Sequence, residues 1–336
     1  MFIIVKCSNC LREIVDEEYV RCVNTGVPLH IDCANHCMEC GAVLSDAEFI
    51  ANKFKCNTCN KPLEVQIDSI RRSYIEDYKE CPYKFKLLAI DKYEGDNNPY
   101  AMNGIILHDL FEKASNKEGY DEEDMKKEYL DLYATVDGFN DQQIAKDLPT
   151  TLYKKGLVCI ENFYEYHLNT VAPFATEEMI QYQIREDYPK IQITFDRINK
   201  DEDGGLHLVD YKTGRTHVGK KLSNDLQIAT YIMAVKEKYG VLPESFTLLF
   251  LAENKARVYL KEDDNTYVCT VGKRRYIQDL DAKMREVLKI FDSIKKGRFD
   301  IPITTLSPWY CENRCPMYQK YCEGVIKEPW KEAYGG

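Results

Sequence analysis

Apolar positions along the chain follow a helical spacing, then an alternating one, then a helical spacing again. From Ser69 to Asp91, the residues Ile70, Tyr74, Ile75, Tyr78, Phe85 and Leu88 keep close to a helical period, and Pro82 is expected to break or kink the helix. Residues 101–116, 121–133 and 141–168 also read as helices. The period then changes: Met179–Ile184 and Lys190–Asn199 alternate apolar with polar residues, and Leu206–Tyr211 is a third extended run. Asp201–Gly205 has turn chemistry, so the second and third runs are expected to form a hairpin. Asn224–Tyr239 reads as a helix capped by Ser223 or Asn224 and ended by Gly240. Ser245–Leu251 follows as a strand, which predicts a strand–helix–strand crossover to a parallel neighbour. Ala256–Leu260 and Thr266–Val271 extend the sheet, and a last helix is expected over 274–297. The pattern predicts an α/β domain with a mixed sheet flanked by helices.

A chain of 336 residues with 44% hydrophobic and 30% charged residues has ample material for a core, which excludes wholesale disorder. Its length suggests one large domain and a smaller one. No apolar run approaches the ~18–20 residues of a membrane span, and Phe2–Val5 is too short for a signal-peptide core. The expectation is therefore a cytoplasmic chain with no membrane contact, in which the 14 cysteines mean metal more readily than disulfides. A net charge of -10 argues mildly against nucleic acid as a partner. That charge is local, however. Residues 91–150 hold 15 Asp or Glu against 6 Lys, and the remainder is close to neutral. Basic runs at Arg71–Arg72, Lys84 with Lys86, Lys212–Lys221, Lys273–Arg275 and Lys295–Arg298 are solvated faces or contacts to a phosphate backbone.

Eight cysteines lie before residue 60, and seven of them with His30 fall in the order Cys7-x2-Cys10, His30-x2-Cys33, Cys37-x2-Cys40 and Cys56-x2-Cys59. Each close pair puts two ligands on one tight turn, and two turns complete a tetrahedral zinc site. Residues 7–59 resemble a LIM-type double zinc finger, which implies two structural zinc ions. The linker of three residues and the short last spacer depart from that pattern, and Cys22 and His36 compete as ligands. The module reads either as a contact to a protein partner or nucleic acid, or as a structural clip. Domain boundaries at 1–62 and 63–336 follow.

The sharpest signal is Leu208-Val-Asp-Tyr-Lys-Thr-Gly214, preceded by Ile193-Thr-Phe-Asp-Arg-Ile198. Residues two apart on a strand share a face, so Asp210 and Lys212 point the same way. Pairing of the two strands would let Asp196 and Asp210 reach one divalent cation beside an ammonium group, as phosphodiester hydrolysis requires. Taken alone, Asp210 and Lys212 read as a surface salt bridge. Upstream stands Gly104-x3-His108 on a helix, and downstream Gln227-x3-Tyr231 on another.

In this order the pieces resemble the PD-(D/E)XK nuclease superfamily, in its RecB-like exonuclease branch. The resemblance spans about residues 69–325 and implies a restriction-endonuclease-like sheet. It implies that His108, Asp196, Asp210 and the carbonyl of Tyr211 bind catalytic Mg2+ or Mn2+, and that Lys212 orients the attacking water. Gln227 and Tyr231 would support the site or contact DNA, and Glu178 matches a further acidic position. The family usually has glycine shortly before the first aspartate, where Ile193 and Thr194 stand here.

Cys81 and the tail residues Cys311, Cys315 and Cys322 match the layout of RecB-like nucleases that carry a structural 4Fe–4S cluster, with each tail spacing about one residue longer. Zinc is the alternative occupant. Cys22, Cys159 and Cys269 are left as buried thiols. The expected function is a metal-dependent DNA nuclease, an exonuclease acting on ends or single strands in recombination, repair or DNA processing. Two alternatives stand beside it: an iron–sulphur nuclease of the CRISPR-adaptation type, and a non-catalytic adaptor that displays zinc fingers on a nuclease-like scaffold.

Overall fold

The computed structural model describes residues 19–21, 28–30, 35–36, 43–44, 67–95, 99–116, 119–135, 148–168, 172–302 and 308–322. The chain divides into two compact units, one centred on Met1–Gln66 and the other made of Ile67–Asp292 and Phe299–Glu323. Among the described residues, no helix is long and apolar enough to cross a membrane.

In the first unit, β1 (Tyr19–Arg21) pairs antiparallel with β2 (Pro28–His30), and β3 (Asn35–His36) with β4 (Val43–Leu44). His30 ends β2. The other expected zinc ligands, Cys7, Cys10, Cys33, Cys37, Cys40, Cys56 and Cys59, lie outside the described residues.

The second unit is built on an eight-stranded mixed sheet. Its path runs from β12 (Arg274–Asp279) through β11 (Thr266–Val271), β10 (Lys255–Lys261), β9 (Ser245–Phe250) and β8 (Leu206–Lys212) to β7 (Lys190–Lys200). One edge of β7 is paired along its length by β6 (Ala175–Tyr182), antiparallel. The opposite edge is shared. β5 (Ser69–Arg71) runs parallel to Lys190–Gln192, and β8 runs antiparallel to Arg197–Lys200. Between those two partners, Ile193–Asp196 face a fork in the sheet. Past Val209, β8 leaves β7 but stays paired with β9 as far as Lys212 opposite Phe250.

Helices cover both faces. Two of them lead in from β5: α1 (Arg72–Glu80) and α2 (Pro82–Phe85), which continues as a π-helical turn over Lys86–Ile90. The expected break falls at Cys81, whose extended backbone (φ -153, ψ 106) separates them. Next, α3 (Pro99–Asn116), α4 (Glu122–Tyr133) and α5 (Leu148–Leu168) form a layer whose Leu107, Phe111 and Phe163 pack on Val209, Tyr211, Leu249 and Leu251. The short α6 (Lys221–Asn224) leads into α7 (Leu226–Tyr239). Asp225, not Ser223 or Asn224, caps α7 by accepting from Gln227 N at 2.9 Å, and Gly240 ends it in the left-handed region (φ 76). The Tyr231 ring of α7 meets Phe195 and Phe246 edge-on at 5.1 and 5.7 Å, so α7 packs on those two strands. Parallel β8 and β9 with α7 between them make the expected crossover.

Three elements differ from the sequence reading, the first being β6, which begins at Ala175, four residues before the expected Met179. Ser69–Arg71 is a strand and not the start of the first helix, because it pairs in parallel with β7. The final helix α8 (Leu280–Lys295) begins six residues later than expected, because Arg274–Asp279 pairs with β11 along its whole length. The tail ends in α9 (Pro308–Arg314) and a π-helical turn over Tyr318–Cys322.

Candidate active site

The fork between β5 and β8 gathers the acidic groups. Asp196 reaches into it and accepts a hydrogen bond from the backbone N–H of Tyr211 at 2.5 Å. That N–H is available because β8 has parted from β7 at this point. From the helical layer, His108 on α3 brings Nδ1 to 3.5 Å from Asp196 Oδ1. Burial works against protonation of His108, but Asp196 and then Asp210 outweigh it and hold the imidazole above its usual range. Gly104, one turn earlier on α3, has open neighbours. An added Cβ would lie 3.5 Å from Thr213 Oγ1, an ordinary contact, so glycine is not a steric necessity at this position.

Asp210 is buried on β8. Its Oδ1 accepts from the Gln227 side chain at 2.5 Å, and its Oδ2 lies 2.7 Å from Lys212 Nζ. Burial raises the Asp210 pKa, with Lys212 opposing and Asp196 adding to the rise. One turn beyond Gln227, the Tyr231 ring is buried on α7 with the Arg72 guanidinium 6.0 Å from its centroid. The Tyr211 ring points the other way, into the helical layer beside Phe111, Phe163 and Tyr166. Asp210 and Lys212 thus share one face of β8, while Val209 and Tyr211 share the other.

The acidic residue from β6 is Glu177 rather than Glu178. The Glu178 side chain turns to α7 and pairs with Lys238 and Tyr239, which leaves it outside the cluster. Glu177 has a left-handed backbone (φ 45), and the register on either side is unbroken, from Thr176 opposite Arg197 to Glu178 opposite Phe195. Glu177 therefore stands across from Asp196. A left-handed non-glycine residue costs on the order of 1–3 kcal/mol and collects at functional sites. The one sequence signal that favours Glu177 is this count along the strand. Two adjacent glutamates made it ambiguous.

One ligand atom each from His108, Glu177 and Asp196 lie within 4.8 Å of one another. Burial first, and then the Asp196 carboxylate, push Glu177 up to about 8; Glu112 and Asp210 add to this, and His108 opposes it. An imidazole with carboxylate oxygens is a donor set for a hard or borderline divalent cation. The mutual repulsion of these carboxylates is what such a cation would relieve, so the residues fit the metal.

Cys81 is brought beside the distant tail residues Cys311, Cys315 and Cys322. Burial pushes the Cys311 and Cys322 thiols up to about 12, and in each case Cys315 and Cys81 push further. Cys81 sits at the break before α2, its sulfur accepting from Lys84 N at 3.5 Å. The tail reaches the same region: Tyr321 stacks on Tyr93 at 4.9 Å, and a Cβ added to Gly95 would lie 2.8 Å from the Pro316 side chain.

A family model described as the PD-(D/E)XK nuclease superfamily matches residues 72–323. No curated protein matches the chain. Among solved structures, the crystal structure of SSO0001 is similar over 75% of this chain and 85% of that one, at 12% identity and a TM-score of 0.36, a likeness too slight to carry an argument. The span of the family model takes in α3, the fork, β8 and α7, and with them every group gathered around Asp196 and Asp210. With well over half of its length matched, the chain belongs to the PD-(D/E)XK nuclease superfamily.

Proposed function

We propose that the chain is a divalent-metal-dependent DNA nuclease that hydrolyses phosphodiester bonds at DNA ends or in single strands. The observation that carries this reading is the convergence of His108, Glu177 and Asp196 within 4.8 Å, beside a buried Asp210 paired with Lys212. Asp196, Glu177 and His108 would hold Mg2+ or Mn2+, with Asp210 and the Tyr211 carbonyl completing the set. The bound ion supplies the electrophile that draws charge from the phosphoryl group. The Tyr211 N–H fixes the Asp196 carboxylate, and the Gln227 amide fixes Asp210. Lys212, held by Asp210, directs its remaining N–H donors at the attacking water and at the charge that develops on phosphate. Basic runs flanking the site would meet the backbone of the strand.

End-labelled linear DNA and circular DNA, single- and double-stranded, test the reading together. Linear substrates should be degraded with Mg2+ or Mn2+, and chelation should lower the rate by at least about 10³-fold. Cleavage that persists in chelator, or none with either ion, would overturn it. Degradation of circles would remove the exonuclease component alone.

We assign the four gathered thiols to a structural 4Fe–4S cluster. The layout of one cysteine at the head of this unit and three in its tail supports a cluster. The amino-terminal unit is assigned two structural zinc ions and a protein partner on the strength of its ligand spacing. Metal and sulphide analysis of anaerobically purified protein should find about four iron, four sulphide and two zinc per chain. A third zinc with no sulphide would transfer the four thiols to zinc.

A further inference from the structure

A cavity of about 550 Å³ lies between α1 and the α6–α7 corner, with Lys212 and Gln227 in its wall. Its volume falls in the range of ligand pockets, about 300–1,000 Å³. Its charge is unusual for a surface that meets DNA. Four cationic side chains in the wall are matched by four carboxylates, and Asn224, Gln227 and His217 stand among them. A seat for phosphate alone concentrates cations. A balanced wall with amide, imidazole and carboxylate groups suits an uncharged ligand rich in hydrogen-bonding groups.

The wall is held in place before any ligand arrives. Glu76 Oε1 accepts from Leu226 N at 3.1 Å, and Lys79 Nζ donates to the Asn224 carbonyl at 2.9 Å, which ties α1 to the start of α7. Asp225 spends Oδ1 on its helix cap, and its Oδ2 lies 3.6 Å from His217 Nδ1, beyond hydrogen-bond reach. That imidazole nitrogen is buried without a hydrogen-bond partner, while its ring packs edge-on to Phe250 at 4.9 Å. Burial and the cations nearby draw the His217 pKa down to about 4, with Asp225 opposing, so the ring is neutral at ordinary pH. Asp225 Oδ2 and the Glu76 carboxyl are acceptors in the wall, with the His217 ring beside them.

A group that lies next to Lys212 and is joined to the scissile phosphate is a nucleoside, and carboxylates accept from the exocyclic amino groups of bases. We propose that this cavity receives the nucleoside adjoining the scissile phosphate, and that Glu76, His217 and Asp225 contact its base, favouring bases with an exocyclic amino group over thymine. The inference rests on the nuclease reading of the Lys212 site.

Oligonucleotides of one sequence test it, with the residue beside a mapped cleavage site set in turn to cytosine, thymine or an abasic sugar, on either side of the bond. On one side only, kcat/KM should fall by about tenfold from cytosine to thymine or to the abasic residue. Asp225→Asn keeps a helix-capping acceptor. It should narrow that difference to about twofold. Equal rates on all substrates, or an undiminished preference in Asp225→Asn, would overturn the assignment and leave the nuclease reading standing. No cleavage of any substrate with Mg2+ or Mn2+ would remove the nuclease reading and the inference with it.

Discussion

Replacing Lys212 by alanine should lower the rate of phosphodiester cleavage by about 10²–10³-fold, the usual loss when one donor to transition-state charge is removed. The fold should survive the change. Deleting one partner of a buried ion pair ordinarily costs ~3–5 kcal/mol, because a charge is left behind. Here Lys212 stands 2.7 Å from Asp210, whose carboxyl burial already biases toward the neutral form. Without the ammonium, Asp210 can take up a proton and keep its bond to Gln227, so much of the penalty is avoided. Single-turnover cleavage of end-labelled DNA, with a urea melt of the same sample, separates the two effects. Wild-type activity in Lys212→Ala would remove Lys212 from the chemistry, and a collapsed urea midpoint would assign it to stability.

Glu177→Gln carries a second large effect, opposite in sign without metal and with it. A carboxyl whose folded-state pKa is raised to about 8 holds its proton more tightly folded than unfolded. Its cost to stability is absent below about pH 4, grows as pH rises toward 8, and is constant above. The full linkage would be ~5 kcal/mol, which partial exposure of the side chain reduces to about 2 kcal/mol. Metal-free Glu177→Gln should therefore be about 2 kcal/mol more stable than wild type near pH 9 and no more stable near pH 4. With metal the order should reverse. Mg2+ or Mn2+ should stabilise wild type, in step with loss of the Glu177 proton, and stabilise Glu177→Gln much less. Urea unfolding at both pH values, with and without Mn2+, reads all of this. A variant that matches wild type in every condition would place Glu177 outside the metal site.

Much of the fold is written locally. Helical period, alternation and turn chemistry locate α3, α4, β7, β8, α7 and β9 to within a few residues, because amphipathic faces and caps are short-range features. Two of the misplacements share a cause. Ser69–Arg71 and Arg274–Asp279 carry no decisive period of their own, and both become strands through partners elsewhere in the sheet. Ser223, Asn224 and Asp225 are all good caps. The single turn of α6 consumes the first two and leaves the third to start α7.

The candidate site divides along the same line. The order Gly104–His108, Asp196, Asp210-Tyr211-Lys212 and Gln227 can be read from the chain alone, and so can the chemistry of each group, because residue type and strand alternation decide both. Only the tertiary structure decides that Asp196 enters a fork left by the parting of β7 and β8, where the Tyr211 N–H awaits it. It also decides that Glu177 faces His108 and Asp196 and Glu178 does not, since the β6–β7 register sets Glu177 across from Asp196 and Glu178 across from Phe195. The sequence by itself determined which chemical groups are present and roughly which elements carry them. Which of those groups meet depended on register and strand pairing, and these are set by contacts between segments far apart in the chain.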